Sequence, residues 1–268
     1  MTTVYVDPIL AASMLALGKL VSPGPGQWSA SSPEQEAFLG KLGALTETIA
    51  SLPPGAIETI SARSAGPVNA FLARHGFTGN LREAGPRSLY AAAVLDLLVE
   101  WSTPGSAVPL ALLDGRRVPG VRLKKGQFRV DGRVLSPEVK PGPICVRMCE
   151  SATLAEGLAI IAGTIYVAPS SDYGAATFPM VSLDVDVDAS KMIGLRNGDW
   201  TVDQAFARAK LRLDPKGAHA QAAAAMAATR GIVKTFKIAG PFTIAFVTGD
   251  GQVAIAYHVT EEHFSAPV

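Results

Sequence analysis

Between residues 217 and 231 the chain reads Gly-Ala-His-Ala-Gln-Ala-Ala-Ala-Ala-Met-Ala-Ala-Thr-Arg-Gly, and Phe236-Lys-Ile-Ala-Gly-Pro-Phe242 follows closely. No other stretch constrains the fold so strongly. Alanine is the best helix former, so residues 218–228 could be a surface or packing helix. The glycines at both ends and the apolar segments beyond them allow a second reading. As a strand, the run would put Ala218, Ala220, Ala222, Ala224, Met226 and Ala228 on one face, since side chains alternate. His219, Gln221, Ala223, Ala225, Ala227 and Thr229 would line the other face. The first face is small and apolar, as entry into the middle of a sheet requires. A strand of this length would span about 45 Å. Both readings stand at this level.

Composition limits the function classes. The 268 residues are 48% hydrophobic, which is enough for a large core. Charged residues make up 18% and the net charge is +1, without the basic excess of a nucleic-acid binder. No apolar run has the length of a membrane span. The first residues, Met1-Thr-Thr-Val-Tyr-Val-Asp-Pro8, lack a basic n-region, so no signal peptide is expected and a cytoplasmic location is the default. Cys145 and Cys149 would lie about 13 Å apart in a strand, too far for a disulfide, although a helix could bring them together. They are read as two free, buried thiols.

Along the chain, Val4–Val6 reads as a short strand and Pro8–Leu20 as an apolar helix, with a loop at 22–27. Ser32-Pro-Glu-Gln35 is a capping box opening a helix with Phe38, Leu42, Leu45 and Ile49 on one face. Ala56–Arg63 alternates like a strand, Pro67–His75 is a short helix closed by Gly76, and Arg87–Trp101 reads as a strongly apolar helix. Asp114-Gly115, Lys125-Gly126 and Asp131-Gly132 read as hairpin turns. Ile144–Met148, Leu158–Val167 and Phe178–Asp188 read as strands. Asp203–Lys210 reads as a turn or short helix. Pro241–Val247 and Gln252–Val259 form a last hairpin around Gly249-Asp-Gly251. The order predicts a single α+β domain over residues 1–268, with helices first and antiparallel strands later.

Several segments together resemble serpins. Val4-Tyr-Val-Asp-Pro8 running into Met14-Leu-Ala-Leu-Gly18 is similar to the start of the serpin core, with Asp7 in place of a serine. Phe178-Pro-Met-Val-Ser-Leu183, Asp188 and Met192-Ile-Gly-Leu195 resemble later serpin strands. Ala205-Phe-Ala-Arg-Ala-Lys-Leu-Arg-Leu-Asp-Pro-Lys-Gly217 resembles the strand that ends in the serpin hinge, with Pro215 where Glu is common. The resemblance covers about half of the chain. The Asn-Ala-Ile-Tyr-Phe-Lys-Gly-x-Trp segment is not recognisable, the chain is short for a serpin, and Ile255-Ala-Tyr-His-Val259 replaces the usual ending.

The resemblance implies N-terminal helices packed on antiparallel sheets, with residues 217–235 as an exposed reactive-centre loop. Its hinge would be Gly217, Ala218, Ala220, Ala222 and Ala223, exposed until the loop is cut. The bait bond would be Arg230–Gly231, the long cation fitting the acidic pocket of a trypsin-like protease. It implies a serine protease as partner and no catalytic residues, cofactor or metal. The alternative is a non-inhibitory protein of the same fold, a structural or assembly subunit with protein partners.

Other constellations carry less. His258-Val-Thr-Glu-Glu-His263 does not match a zinc-protease spacing and reads as a solvated strand end. Asp184, Asp186 and Asp188 line one strand face without a calcium-binding turn. Gly157 and Gly163 lack the lysine of a phosphate loop. Lys124-Lys125 reads as a solvated turn. Trp28, Trp101 and Trp200 read as packing residues.

Overall fold

The computed structural model describes residues 3–21, 28–78, 81–84, 88–164, 173–218 and 234–266. The loop expected at 22–27, and Ala220, Ala222, Ala223, Arg230 and Gly231, lie outside the described residues. The chain divides into two compact units. One comprises Met1–Tyr5, Leu97–Asp184 and Lys210–Val268, and the other comprises Val6–Asp96 and Val185–Ala209. Helices and largely antiparallel sheets make the expected α+β class.

The first unit is built on a six-stranded sheet in the order Thr3–Tyr5, Val253–Val259, Phe242–Thr248, Ile144–Glu150, Val134–Pro137, Phe128–Asp131. The last hairpin was legible in the sequence. Phe242–Thr248 pairs on one side with Val253–Val259 and on the other with Ile144–Glu150, and all seven of its residues are buried. A strand covered on both faces reads as a continuous apolar run, which Phe242-Thr-Ile-Ala-Phe-Val-Thr248 nearly is.

The helix Leu154–Ala162 contributes to the same core through Ile161, beside Val134, Ala245, Val247 and Ala256. This corrects the strand expected over Leu158–Val167 in its described part, residues 158–164. Periodicity cannot separate a short apolar strand from a buried helix. The capping box decides here: the Thr153 hydroxyl accepts from the Glu156 amide at 3.1 Å, and the Glu156 carboxylate accepts from the Ala152 amide at 2.7 Å. Gly157 gives this helix its close approach. A methyl there would lie 2.0 Å from the Thr243 hydroxyl and 2.9 Å from that of Ser151. Gly157→Ala is therefore expected to cost about 1–3 kcal/mol by overpacking, read as a lower melting temperature. An unchanged Tm would mean that the helix does not sit this close.

A second, four-stranded sheet runs Thr235–Lys237, Ala175–Pro179, Arg117–Lys124, Ser106–Ala111. Asp114-Gly115 and Asp131-Gly132 make the expected hairpins. Lys125-Gly126 does not: the strand before it pairs in this sheet and the strand after it in the six-stranded one. The strand expected over Phe178–Asp188 is likewise two strands, Ala175–Pro179 and Val181–Val187, in different sheets. Local alternation does not reveal such a change of partner.

A third sheet has the order Val181–Val187, Ala207–Asp214, Gly217–Ala218, Val99–Glu100. Ala207–Asp214 is extended where a turn or short helix was expected up to Lys210.

The second unit holds the helices Asp7–Gly18, Pro33–Gly40, Leu42–Ala50 and Ala65–Arg74. The capping box at Ser32 forms, with its hydroxyl accepting from the Gln35 amide at 3.3 Å. The helix it opens breaks at Lys41, so the face expected from Phe38 to Ile49 is split between two helices. Asp7, where the resemblance expects serine, forms an ion pair with Lys191.

The helix expected over Arg87–Trp101 does not form in the described residues 88–101. Tyr90–Leu95 and Val99–Glu100 are strands, and Tyr90–Leu95 pairs with Ile57–Ala62. Tyr90, Ala92 and Val94 are buried against Val68, Phe71 and Leu72, while the residues between them are only half-buried. The alanines favoured helix locally, but a cross-strand partner and a one-sided core impose period two. Among the described residues, no helix is long and apolar enough to cross a membrane.

Candidate functional site

The strand before the alanine-rich loop is amphipathic by position. Ala209, Leu211 and Leu213 are buried, while Lys210 is exposed and Arg208 and Arg212 are half-buried. The acidic row faces this basic edge. Asp184 lies 3.7 Å from Lys210, and Asp186 lies 3.7 Å from Arg208. Asp188 turns away and accepts from the Ser190 amide at 2.8 Å, and the hydrogen bonds from Ser190 hold its carboxyl below the ordinary value. The three carboxylates thus pair across strands and cap a turn.

The strand ends in Asp214-Pro-Lys-Gly217, a sequence suited to a type I turn. The turn is fixed from several directions. Asp214 Oδ1 accepts from the amides of Lys216 at 2.7 Å and Gly217 at 3.3 Å. The Trp101 indole Nε1 donates to the Asp214 carbonyl at 3.1 Å, and the Trp101 amide donates to the Lys216 carbonyl at 2.9 Å. The Gly105 amide donates to the Pro215 carbonyl at 2.7 Å. Trp101 is only 1% exposed and packs edge-on against Phe178.

Gly217 and Ala218 form a two-residue strand held on both sides. Gly217 pairs with Asp214 and Glu100, and Ala218 pairs with Leu213 and Val99. Ala218 is 1% exposed. Gly217 and Ala218, expected to be exposed, are therefore buried, which corrects that expectation. The reason is steric as well as hydrogen-bonded. A β-carbon at Gly217 would sit 2.3 Å from the Val99 carbonyl oxygen and 2.9 Å from Glu100 Cα, so only glycine lets the three strands close.

Sequence reasoning placed Gly217 and Ala218 at the hinge but took Trp101 only as packing, and it did not single out Asp214, Val99 or Glu100. The Asp-Pro-x-Gly turn was a readable signal. The contact with Trp101, more than a hundred residues away, had none.

The remaining candidates separate. His258 is buried in the Val253–Val259 strand, opposite Thr3 and Thr243, rather than at a solvated end, and burial lowers its pKa. His263 lies in a short 3-10 turn beside Glu262. Among the described residues, no group of three His, Cys, Asp or Glu side chains could hold a metal. Cys149 is buried and free, and burial raises its thiol pKa to about 11. Cys145 is half-buried and free.

The largely antiparallel α+β arrangement, with Gly217–Ala218 seated between two strands of one sheet, is shared with solved structures. The chain superposes on Serpin48 of the insect Tenebrio molitor over 96% of this chain and 91% of that one, with TM-score 0.61 and 14% identity. Human thyroxine-binding globulin in complex with thyroxine matches over 96% and 91%, with TM-score 0.58 and 12% identity. The thermophilic serpin tengpin in its native state matches over 97% and 88%, with TM-score 0.57 and 13% identity. No protein-family model and no curated protein sequence matches the chain. The chain has the serpin fold.

Proposed function

We propose that this chain, as one serpin-like domain over residues 1–268, is a suicide inhibitor of a trypsin-like serine protease, with residues 217–235 as bait loop. The protease serine attacks the carbonyl carbon of Arg230, an ester forms, and Gly231 leaves as the new amine. The freed loop then enters the sheet as a strand, and the protease is held as acyl-enzyme. The supporting observation is the seated hinge strand. Continuing its antiparallel register, in which Leu213 faces Ala218, sets Ala220 opposite Leu211 and Ala222 opposite Ala209. Leu211 and Ala209 are buried, so the small alanine face would enter the core side. Gln221 would fall opposite Lys210, which is exposed.

Incubation with trypsin tests the reading. The expected product is an SDS-stable adduct of the 27.9-kDa chain with the protease. Ala220→Arg would bring an unpaired charge to the buried face and should turn the inhibitor into a plain substrate. Gln221→Arg, on the other face, should leave the adduct intact. Equal effects at the two positions would overturn the strand reading.

The second reading is a non-inhibitory structural or assembly protein. The firm hold on Gly217 and Ala218 in the uncut chain favours it, since a fixed hinge also suits a static scaffold. Cleavage at Arg230 without an adduct would decide for it.

A further inference from the structure

The four-stranded sheet that receives the chain after the loop has an unusual charge. Its strands carry Arg117, Arg122, Lys124 and Lys237 and no Asp or Glu. The register collects three of these cations. Lys237 is level with Thr177, Thr177 with Arg122, and Arg122 with Ser106. Lys124 stands two residues from Arg122, hence on the same face, level with Ala175 and Thr235. Arg122, Lys124 and Lys237 are exposed, while Leu123 and Val121 on the reverse face are buried. Strands lie about 4.8 Å apart and residues rise about 3.3 Å along each, so the three cations' Cα atoms fall within roughly 12 Å of one another. The ion pairs on neighbouring segments join other residues: Arg116 with Asp114 and Glu261, Arg129 with Glu138, and Lys140 with Glu100.

Covalent geometry ties this face to the bait bond. Arg230 and Thr235 are five Cα–Cα steps apart, so their Cα atoms are at most about 18 Å apart in any conformation. A protein gripping Arg230 covers about 800 Å² of this chain, a patch roughly 30 Å across. The edge of such a patch comes within about 3 Å of Thr235 even with the intervening residues fully extended, and the row begins in the strand that Thr235 opens.

We propose that Arg122, Lys124 and Lys237 form a secondary docking surface for an acidic patch on the protease that takes Arg230, so that charge selects among proteases sharing one specificity pocket. The inference depends on the bait-loop reading above. Its effect would fall on association rate, as interfacial charge usually acts.

The probes are the anionic and cationic isoforms of trypsin, which share Arg/Lys specificity and differ in surface charge. At low ionic strength, reaction at Arg230 with the intact chain should be about 10-fold or more faster with the anionic isoform. Added salt should close the gap. The triple variant R122A/K124A/K237A should also close it, without changing where the loop is cut. Arg133→Ala, which removes one cation from a turn of the six-stranded sheet, should preserve it. Equal rates with both isoforms, with cleavage still at Arg230, would overturn the docking surface and leave the bait reading standing. Cleavage elsewhere by both isoforms would overturn the two together. Equal rates, joined with heparin binding that the triple variant loses, would reassign the row to an acidic polysaccharide.

Discussion

Deleting residues 241–268 should leave no folded protein. The deletion removes Phe242–Thr248 from the middle of the six-stranded sheet, and with it Val253–Val259, which pairs with Thr3–Tyr5. Ile144–Glu150 would lose seven paired positions. Phe242, Ile244, Phe246, Val247, Ala254, Ile255 and Tyr257 are all buried, and each large apolar side chain contributes about 1.5–3 kcal/mol. Several such losses exceed the typical 5–15 kcal/mol of net stability. The truncated chain should be insoluble, or lack a cooperative melting transition. A soluble fragment with cooperative unfolding would show that the hairpin is not central to this fold.

Cutting the intact chain at Arg230–Gly231 should raise its melting temperature. Gly217 and Ala218 already occupy the sheet, so the inserting strand starts from a formed nucleus and need only extend. Each added strand hydrogen bond contributes about 0.5–1.5 kcal/mol net. Ordering the backbone costs about 1–2 kcal/mol per residue. The two nearly cancel, and burial of the alanine face decides the sign. A net gain of about 3 kcal/mol would raise Tm by roughly 10 °C in a chain of this size. Scanning calorimetry of intact and nicked protein, with the two fragments still associated, measures it. A nicked protein melting at or below the intact one means that the loop stays outside the sheet, and the scaffold reading then holds.

The hinge shows how far local signals reach. Asp214-Pro-Lys-Gly217 carries the residues of a turn, which depends only on neighbours in the chain, whereas Ala207–Lys210, expected as a turn or short helix, became part of a strand. Nothing local says that Gly217 must lack a β-carbon because the Val99 carbonyl lies against it. Tyr90–Leu95 is the clearest misreading. Three consecutive alanines argue for helix until Ile57–Ala62 pairs alongside. Leu154–Ala162 errs the other way, an apolar run read as strand although Thr153 and Glu156 had already written a helix start.

The sequence by itself determined the α+β class and the final hairpin, both set by periodicity and turn chemistry. Tertiary structure alone decided which strands share a sheet, that Trp101 anchors the hinge turn, and that Ala218 is buried between Leu213 and Val99. It also gathered Arg122, Lys124 and Lys237 from two distant segments onto one face. The physical reason is that pairing and close approach join residues a hundred or more positions apart, and such contacts leave no period in the chain for a reader to find.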